Sequence, residues 1–292
     1  MPSSKNNDLI LVRAESHHVD EIGRICFKAF RTIHDKHAFP RDFPTLDLAM
    51  KVISILVDRE DFYGVVALNE GKPVGSNFLS LTDSVAGVGP ITIDPASQTK
   101  GIGRALMEDV IDYADRNNIK QVRLLQDSFN VASLSLYSSL GFDAKETVAL
   151  MQAASSGEPD ESVRPITEAD IPAIEELSER IYKVSRRNEV ADAITYDFSP
   201  LLIERAGQIR GYLIPGFFGH GVAETEEDAM ALIGESARRL PPEFARFFCP
   251  LREANLYRRA LEAGHRAIKV MNLMAMGPYE PPGEVWMPSI AY

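Results

Sequence analysis

The chain has 292 residues, 45% hydrophobic and 25% charged, with 42 acidic against 31 basic side chains and a formal charge of −11. This describes a soluble globular protein long enough for two ordinary domains, and its acidity excludes nucleic acid, whose backbone must be met by Lys and Arg. Cys26 and Cys249 are too few for a disulfide framework. No apolar run approaches the ~20 residues that span a bilayer and no leader is apparent, so a cytoplasmic protein without a membrane partner is expected.

Residues 9–14 read as a strand and 18–58 as helices, the first with Val19, Ile22, Ile25, Cys26 and Phe30 at helical spacing. Strands follow at 63–69 and 73–82, joined at Gly71 as a hairpin, and at 86–94. Inside this third strand Gly89-Pro90 should loosen the pairing into a bulge, because Pro has no N–H to donate and Gly weakens the ladder. A helix over 101–117 places Ile102, Leu106, Val110, Tyr113 and Ala114 on one face and Glu108, Asp112, Asp115 and Arg116 in solvent. A strand at 120–126, a helix at 131–140 and a strand at 142–151 complete the first half.

The most informative stretch is GPITIDPASQTKGIGRALM, residues 89–107. Gly101 and Gly103 let backbone N–H groups approach a ligand closely, and the helix N-terminus behind them offers unpaired donors and the positive end of a dipole. This is a cradle for a phosphate or pyrophosphate. The triphosphate-binding loop is excluded, since Arg104 and Ala105 replace its Lys-Ser/Thr. The dinucleotide fingerprint fails as well: Leu106 stands where its third Gly or Ala belongs, and residues 95–100 separate the glycines from the strand.

What remains, Gln98-x-x-Gly101-x-Gly103 after a strand, resembles the acyl-CoA loop of the GCN5-related N-acetyltransferases (GNAT). Downstream, NVASLSLYSSLGF supplies Asn130, then Tyr137 seven residues later and Gly141-Phe142, the second motif of that family at its distance from the loop. The resemblance covers about residues 10–151. It implies a mixed α/β sheet and acetyl-CoA as co-substrate, with no metal. Backbone N–H groups of Gln98, Thr99, Lys100, Gly101, Ile102, Gly103 and Arg104 would hold the pyrophosphate. Main-chain groups of Ile91, Thr92 and Ile93 would hold the pantetheine, where their strand splays from the one ending near Gln126. Asn130, at its helix start, and Ser133 would add CoA contacts. Tyr137 would protonate the leaving thiolate, since a phenol with a pKa of about 10 keeps its proton at neutral pH.

An amine must lose a proton before it attacks, and the family often uses a Glu near the glycine-loop strand. Residues 85–93 contain no acid, which leaves Asp83, Asp127, His34 and His37 open as the base. The segment 34–44 (HDKHAFPRDFP) corresponds to the family's acceptor wall, with Phe39, Phe43 and Arg41 as pocket formers. Its two His have no further ligands clustered nearby, so no metal site is expected.

After a polar stretch, the chain repeats itself. VRPITEADIPAIEELSERIY from Val163 answers VRAESHHVDEIGRICFKAF from Val12, and Ile171, Ile174, Leu177 and Ile181 keep the helical spacing. A second hairpin turns at Gly207, and Gly264 answers Gly141. The chemistry is missing from this copy: Glu224, Glu226, Glu227 and Asp228 crowd the helix start where a glycine loop belongs, and they repel a pyrophosphate. Tyr257 stands too far ahead of Gly264 to match Tyr137. The tail GPYEPPGEVWMPSIAY, with the sole Trp, cannot form a regular helix; it is expected to dock on its own domain, the alternative being that it wraps across the first domain or seals its acceptor pocket.

The expectation is therefore two tandem GNAT folds: a catalytic domain at 1–153, a linker at 154–160 and a degenerate domain without a CoA loop at 161–292. The activity implied is transfer of the acetyl group of acetyl-CoA to a small-molecule or peptide amine by direct attack in a ternary complex, in a monomer or weak homodimer. The rival is a non-catalytic acyl-CoA sensor.

Overall fold

The structure, a computed structural model, describes residues 9–98, 101–155, 158–242 and 244–290. β1 (Leu9–Arg13) leads into α1 (Val19–His37) and α2 (Leu46–Asp58), which pack their apolar faces on β2 (Phe62–Asn69) and β3 (Lys72–Ser80). α1 ends where Ala38 turns left-handed (φ 57°), and α2 begins on Thr45, whose hydroxyl accepts the Leu48 N–H at 3.2 Å. β4 (Ala86–Val88), β5 (Thr92–Ile93), α3 (Ile102–Arg116), β6 (Val122–Asp127), α4 (Val131–Ser139) and β7 (Asp143–Gln152) follow. α3 buries Ile102, Leu106, Met107, Val110 and Ala114, while the half-buried Tyr113 stacks on Tyr63 at 3.8 Å.

The second half runs through β8 (Val163–Pro165), α5 (Ile171–Tyr182), α6 (Arg187–Thr195), the hairpin β9 (Leu201–Arg205)–β10 (Gln208–Leu213), β11 (Gly221–Ala223), α7 (Glu226–Arg239), β12 (Arg246–Pro250), α8 (Ala254–Glu262), β13 (Arg266–Met276) and β14 (Val285–Met287). Its element order repeats that of the first half. At the start of α7, Thr225 caps the helix and Asp228 pairs with Arg205 at 2.8 Å, so the carboxylates complement the helix terminus. Tyr257 packs against the core of this half.

The strand expected over 86–94 is interrupted. Gly89 adopts φ 138° and donates its N–H to Phe78 O at 2.9 Å, and the chain pairs again only at β5, with β3. β4 and β6 are parallel over Ala86↔Val122 and Gly87↔Arg123. Beyond those pairs, among the described residues, the two strands diverge toward α3.

The halves are interlocked rather than merely adjacent. The large sheet has the order β1-β2-β3-β4-β6-β13-β7-β12, with β5 on β3. Thus β13 of the second half lies between β6 and β7 of the first, and β7 lies between β13 and β12 of the second. Met274 of β13 is buried in the first half's core, and Leu273 in that of the second. The smaller sheet, β14-β11-β10-β9-β8, ends on the tail strand, which pairs with β11 and packs against β12. Trp286 is fully buried there. The tail therefore docks in its own half, as an added strand. Among the described residues no helix is long and apolar enough to cross a membrane.

Interlocking predicts one unfolding transition. Leu106→Ala, in the first half's core, should cost about 2–5 kcal/mol and should move the urea midpoint read by Trp286 fluorescence, in the second half, together with that read by circular dichroism. A Trp286 transition untouched by this substitution would contradict the shared sheet.

Candidate active site

A cleft of about 790 Å³ opens where β4 and β6 diverge. One end is formed by the start of α3. Gly101 is its N-cap with φ 78°, a conformation that favours glycine. At Gly103 a Cβ would lie 2.9 Å from Ile93 Cδ1 and 3.4 Å from Leu136 Cδ2, so the missing side chain lets α3 close on β5 and α4. Gln98, Ile102 and Arg104 also line this end. Arg104 is exposed, with its guanidinium on Ser139 Oγ (2.6 Å) and Glu108 (3.5 Å). Thr99 and Lys100 lie outside the described residues.

Ile91, Thr92 and Ile93 line the middle of the cleft, opposite Leu124, Leu125 and Gln126. Asn130 caps α4 by accepting the Ser133 N–H (3.3 Å), and Ser133 Oγ donates to Asn130 O (2.9 Å). The Gln126 amide donates to Asn130 O (2.7 Å) and Ser133 Oγ (3.0 Å), while Gln126 Oε1 accepts from Asn272 of β13 (3.0 Å). Tyr137 faces the same cleft, nearly buried. Its phenol is held well above its ordinary pKa by burial, with the Asp127 carboxylate adding to the shift.

Beyond Tyr137 lies a buried polar cluster. Lys269 Nζ is 2.7 Å from Asp42 Oδ2 and 2.7 Å from Asp127 Oδ1, with His34 Nε2 at 3.5 Å. His34 Nδ1 faces Phe30 O at 2.8 Å, which makes Nδ1 the donor and turns Nε2 toward Asp42 (3.4 Å) and Asp127 (3.6 Å). Asp42 and Asp127 form part of the cleft wall, whereas the side chains of His34 and Lys269 are 0% exposed behind them. Burial raises the Asp127 carboxyl above its usual range, and the Asp42 charge reinforces this against the lowering pull of Lys269. For Asp42 burial acts the same way, but the His34 hydrogen bond and the Lys269 charge outweigh it and hold the carboxyl low. Burial opposes a charged His34, yet the Asp42 hydrogen bond and charge prevail and raise it. His34, Asp42 and Asp127 bring ligand atoms within 4.8 Å of one another, as a metal site does. The Lys269 ammonium stands between the two carboxylates and supplies the positive charge there.

Of the residues open as base, then, Asp127 faces the cleft and His34 stands directly behind it. His37 also lines the cleft, from the exposed last turn of α1 and against Phe129 (5.2 Å). Asp83 is elsewhere: it accepts the N–H groups of Asn188 (3.1 Å) and Glu189 (3.3 Å) at the start of α6 and joins the halves. Arg41 is likewise not a pocket former, since it is exposed and bidentate to Asp35 at 2.7 and 2.8 Å. Phe43 does line the cleft, and Phe39 backs it by stacking on Phe129 at 4.3 Å.

Sequence reading missed Asp42, Phe129 and every contribution of the second half: Lys269, Met271, Phe217, Phe218 and Ile290. The only local signal for Lys269 is a lysine in phase with Met271, Leu273 and Ala275 on the buried face of a strand. Both cysteines are buried, and burial pushes each thiol up to about 12.

Residues 26–142 match the model of the acetyltransferase (GNAT) family. The chain is 32% identical over 138 residues to an uncharacterized N-acetyltransferase of Methanocaldococcus jannaschii, a match covering 44% of this chain and 58% of that relative, so the chain spans little more than half of its length. A putative acetyltransferase from Pyrococcus horikoshii aligns over 100% of this chain and 98% of its own, with a TM-score of 0.79 at 15% identity. A tandem GNAT protein from the clavulanic acid biosynthesis pathway aligns over 94% and 100%, with a TM-score of 0.58 at 14% identity. At those identities the two structures speak to the fold.

The cluster makes a stability prediction. Lys269→Met leaves two buried carboxylates without their cation and should cost about 3–5 kcal/mol near neutral pH. Asp127, whose folded pKa lies above its unfolded value, favours folding as pH falls. Asp42, held low in the fold, stabilises at neutral pH and loses that contribution as pH falls through its folded pKa. Removing the ammonium moves both upward, so the urea midpoint of the variant should recover toward wild type from about pH 7 to about pH 5. A deficit independent of pH would contradict this account.

Proposed function

Residues 26–142 of this chain belong to the acetyltransferase (GNAT) family, its halves form two such folds in tandem, and from that premise we propose that it is an N-acetyltransferase moving the acetyl group of acetyl-CoA to an amine acceptor. The observation that carries the proposal is the single cleft running from the α3 N-terminus, past the diverging strands, to Tyr137 and Asp127. In this reading the pyrophosphate rests on N–H groups from Gln98 through Gly101, Ile102, Gly103 and Arg104, with Thr99 and Lys100 between them. The pantetheine follows the main chain of Ile91, Thr92 and Ile93, and Asn130 and Ser133 border it.

The amine attacks the thioester carbonyl, Asp127 takes the proton it loses, the carbon–sulfur bond breaks, and Tyr137 gives its proton to the departing thiolate. The two proton transfers are coupled by charge. Part of the elevation of the Tyr137 pKa comes from ionised Asp127. When Asp127 is protonated by the amine that negative charge vanishes, and the phenol becomes a stronger acid at the moment the thiolate needs it.

In this reading the second half binds no acetyl-CoA. β14 occupies the space beside β11, and acidic side chains stand at the start of α7. One acetyl-CoA per chain is the expected stoichiometry.

Tyr137→Phe should lower kcat at least about tenfold while calorimetric affinity for acetyl-CoA stays nearly unchanged; unchanged turnover would remove Tyr137 from this role. Asp127→Asn should also lower kcat/KM at least about tenfold. In the wild type the acid limb of kcat/KM should lie above the ordinary carboxylate range, as the raised Asp127 pKa requires, and it should vanish in the variant. Gly103→Asp forces a side chain against Ile93 and Leu136 and sets a negative charge beside the cradle, and it should abolish acetyl-CoA binding with the circular dichroism spectrum retained; retained affinity would show that the pyrophosphate lies elsewhere. Binding without thiol release across a panel of amines would identify a sensor instead.

A further inference from the structure

We propose that the acceptor is a small primary amine with an aromatic or alkyl body, held in a pocket that the two halves build together. This deepens, and rests on, the transferase reading above.

The charge pattern narrows the acceptor. Asp42 and Asp127 are the carboxylates in the wall of the cleft, and they are adjacent. Their cation, Lys269, is fully buried and engaged by both, so it is out of reach of a bound acceptor. An ammonium group approaching Asp127 meets a carboxylate in the wall, whereas Lys269, already engaged by both carboxylates and buried behind them, offers no hydrogen bond to a carboxylate or phosphate beside the amine. Lys36 and His37 also line the cleft, but from the exposed last turn of α1, where water and salt screen any charge they carry. A polyamine gains little, because among the described residues the wall holds no second carboxylate site away from this pair for its other nitrogens.

Around the carboxylates the walls are aromatic. Phe30 and Phe43 meet edge to face at 5.0 Å, and Phe129 meets His34 at 5.5 Å. From the second half, Phe217 lies 5.5 Å from Lys269 Nζ, and the Phe218 carbonyl is tied to Ser289 of the tail at 3.1 Å. Asp127 is 12% and Asp42 5% exposed, so the amine must leave water to reach them. That loss is offset by the carboxylates, by aromatic faces that favour a cation, and by burial of an apolar body behind it. A rigid protein surface does not reach this depth, because Asp42 and Asp127 are little exposed and Phe217, Phe218 and Ile290 of the second half line the same cleft.

Thiol release from acetyl-CoA, measured with 2-phenylethylamine, hexylamine, phenylalanine, spermidine and a lysine-containing peptide, tests the inference. The expected result is a kcat/KM for 2-phenylethylamine or hexylamine at least tenfold above those for phenylalanine, spermidine and the peptide. Phe218→Ala, at a half-exposed position outside the core, should raise the KM for 2-phenylethylamine at least fivefold and leave the calorimetric Kd for acetyl-CoA unchanged. Preference for spermidine, phenylalanine or the peptide, or an unchanged KM in the variant, overturns this inference and leaves the transferase reading intact. Acetyl-CoA binding with no thiol release from any amine overturns the transferase reading itself.

Discussion

The insertion of β13 between β6 and β7 is the constraint on which the rest of the molecule depends. A strand in the middle of a sheet must satisfy hydrogen bonds on both edges and pack both faces, so its position is fixed far more tightly than that of a docked domain. Because β13 belongs to the second half, it carries that half's residues into the interior of the first. Asn272 reaches Gln126, Met274 enters the first core, and Lys269 reaches Asp42 and Asp127. A bulge at Ile268, where Ala267 faces Met151 and Lys269 faces Leu150, sets the phase of the strand so that Lys269 points inward with Met271 and Leu273. A one-residue slip would turn all three outward.

The ion cluster so created sets the electrostatics of the cleft. Two carboxylates that share one ammonium are not equivalent: Asp42 has His34 and Lys269 and stays readily ionised, while Asp127 is burdened by burial and by its neighbour's charge. The result is one anchoring anion and one more basic anion in the same wall. Tyr137 is coupled to the more basic of the two. Divergence of two like groups by their surroundings is a familiar way to divide binding from proton transfer.

Much of this was legible where the signal is local. Helical phase from Ile102 to Ala114, the hairpin turns, the Gly101-x-Gly103 cradle and the Asn130–Tyr137 pair are all written within about twenty residues of chain. The interruption at Gly89 was legible as weakened pairing, though not as two separate strands on β3. The polar cluster was legible only in part: His34 and Asp127 stood among the candidate bases, but Lys269 joins them and Asp42 only through the strand exchange, and no spacing rule connects Asp42 to β13. The same blindness explains Asp83 and Arg41. Each has the chemistry of a site residue, and each is used up by a partner that local pattern does not reveal, the start of α6 in one case and Asp35 in the other.

Duplication also explains why the second copy departs from the first where it does. A fold whose β4 and β6 diverge has an open seam with unpaired backbone groups, which is costly unless a ligand, water or another strand covers it. In the second half β14 covers the corresponding seam, pairing Gly221–Ala223 with Val285–Met287 and burying Trp286. Once a protein strand fills the seam, the helix start beside it is released from meeting a pyrophosphate. Acidic residues then become the better choice, since they complement the helix dipole and pair with Arg205. The second half gives residues of its β13, Phe217, Phe218 and Ile290 to the cleft of the first. The two halves thus differ in the same feature, since a strand of the second half covers its own seam while another, β13, is inserted into the sheet of the first.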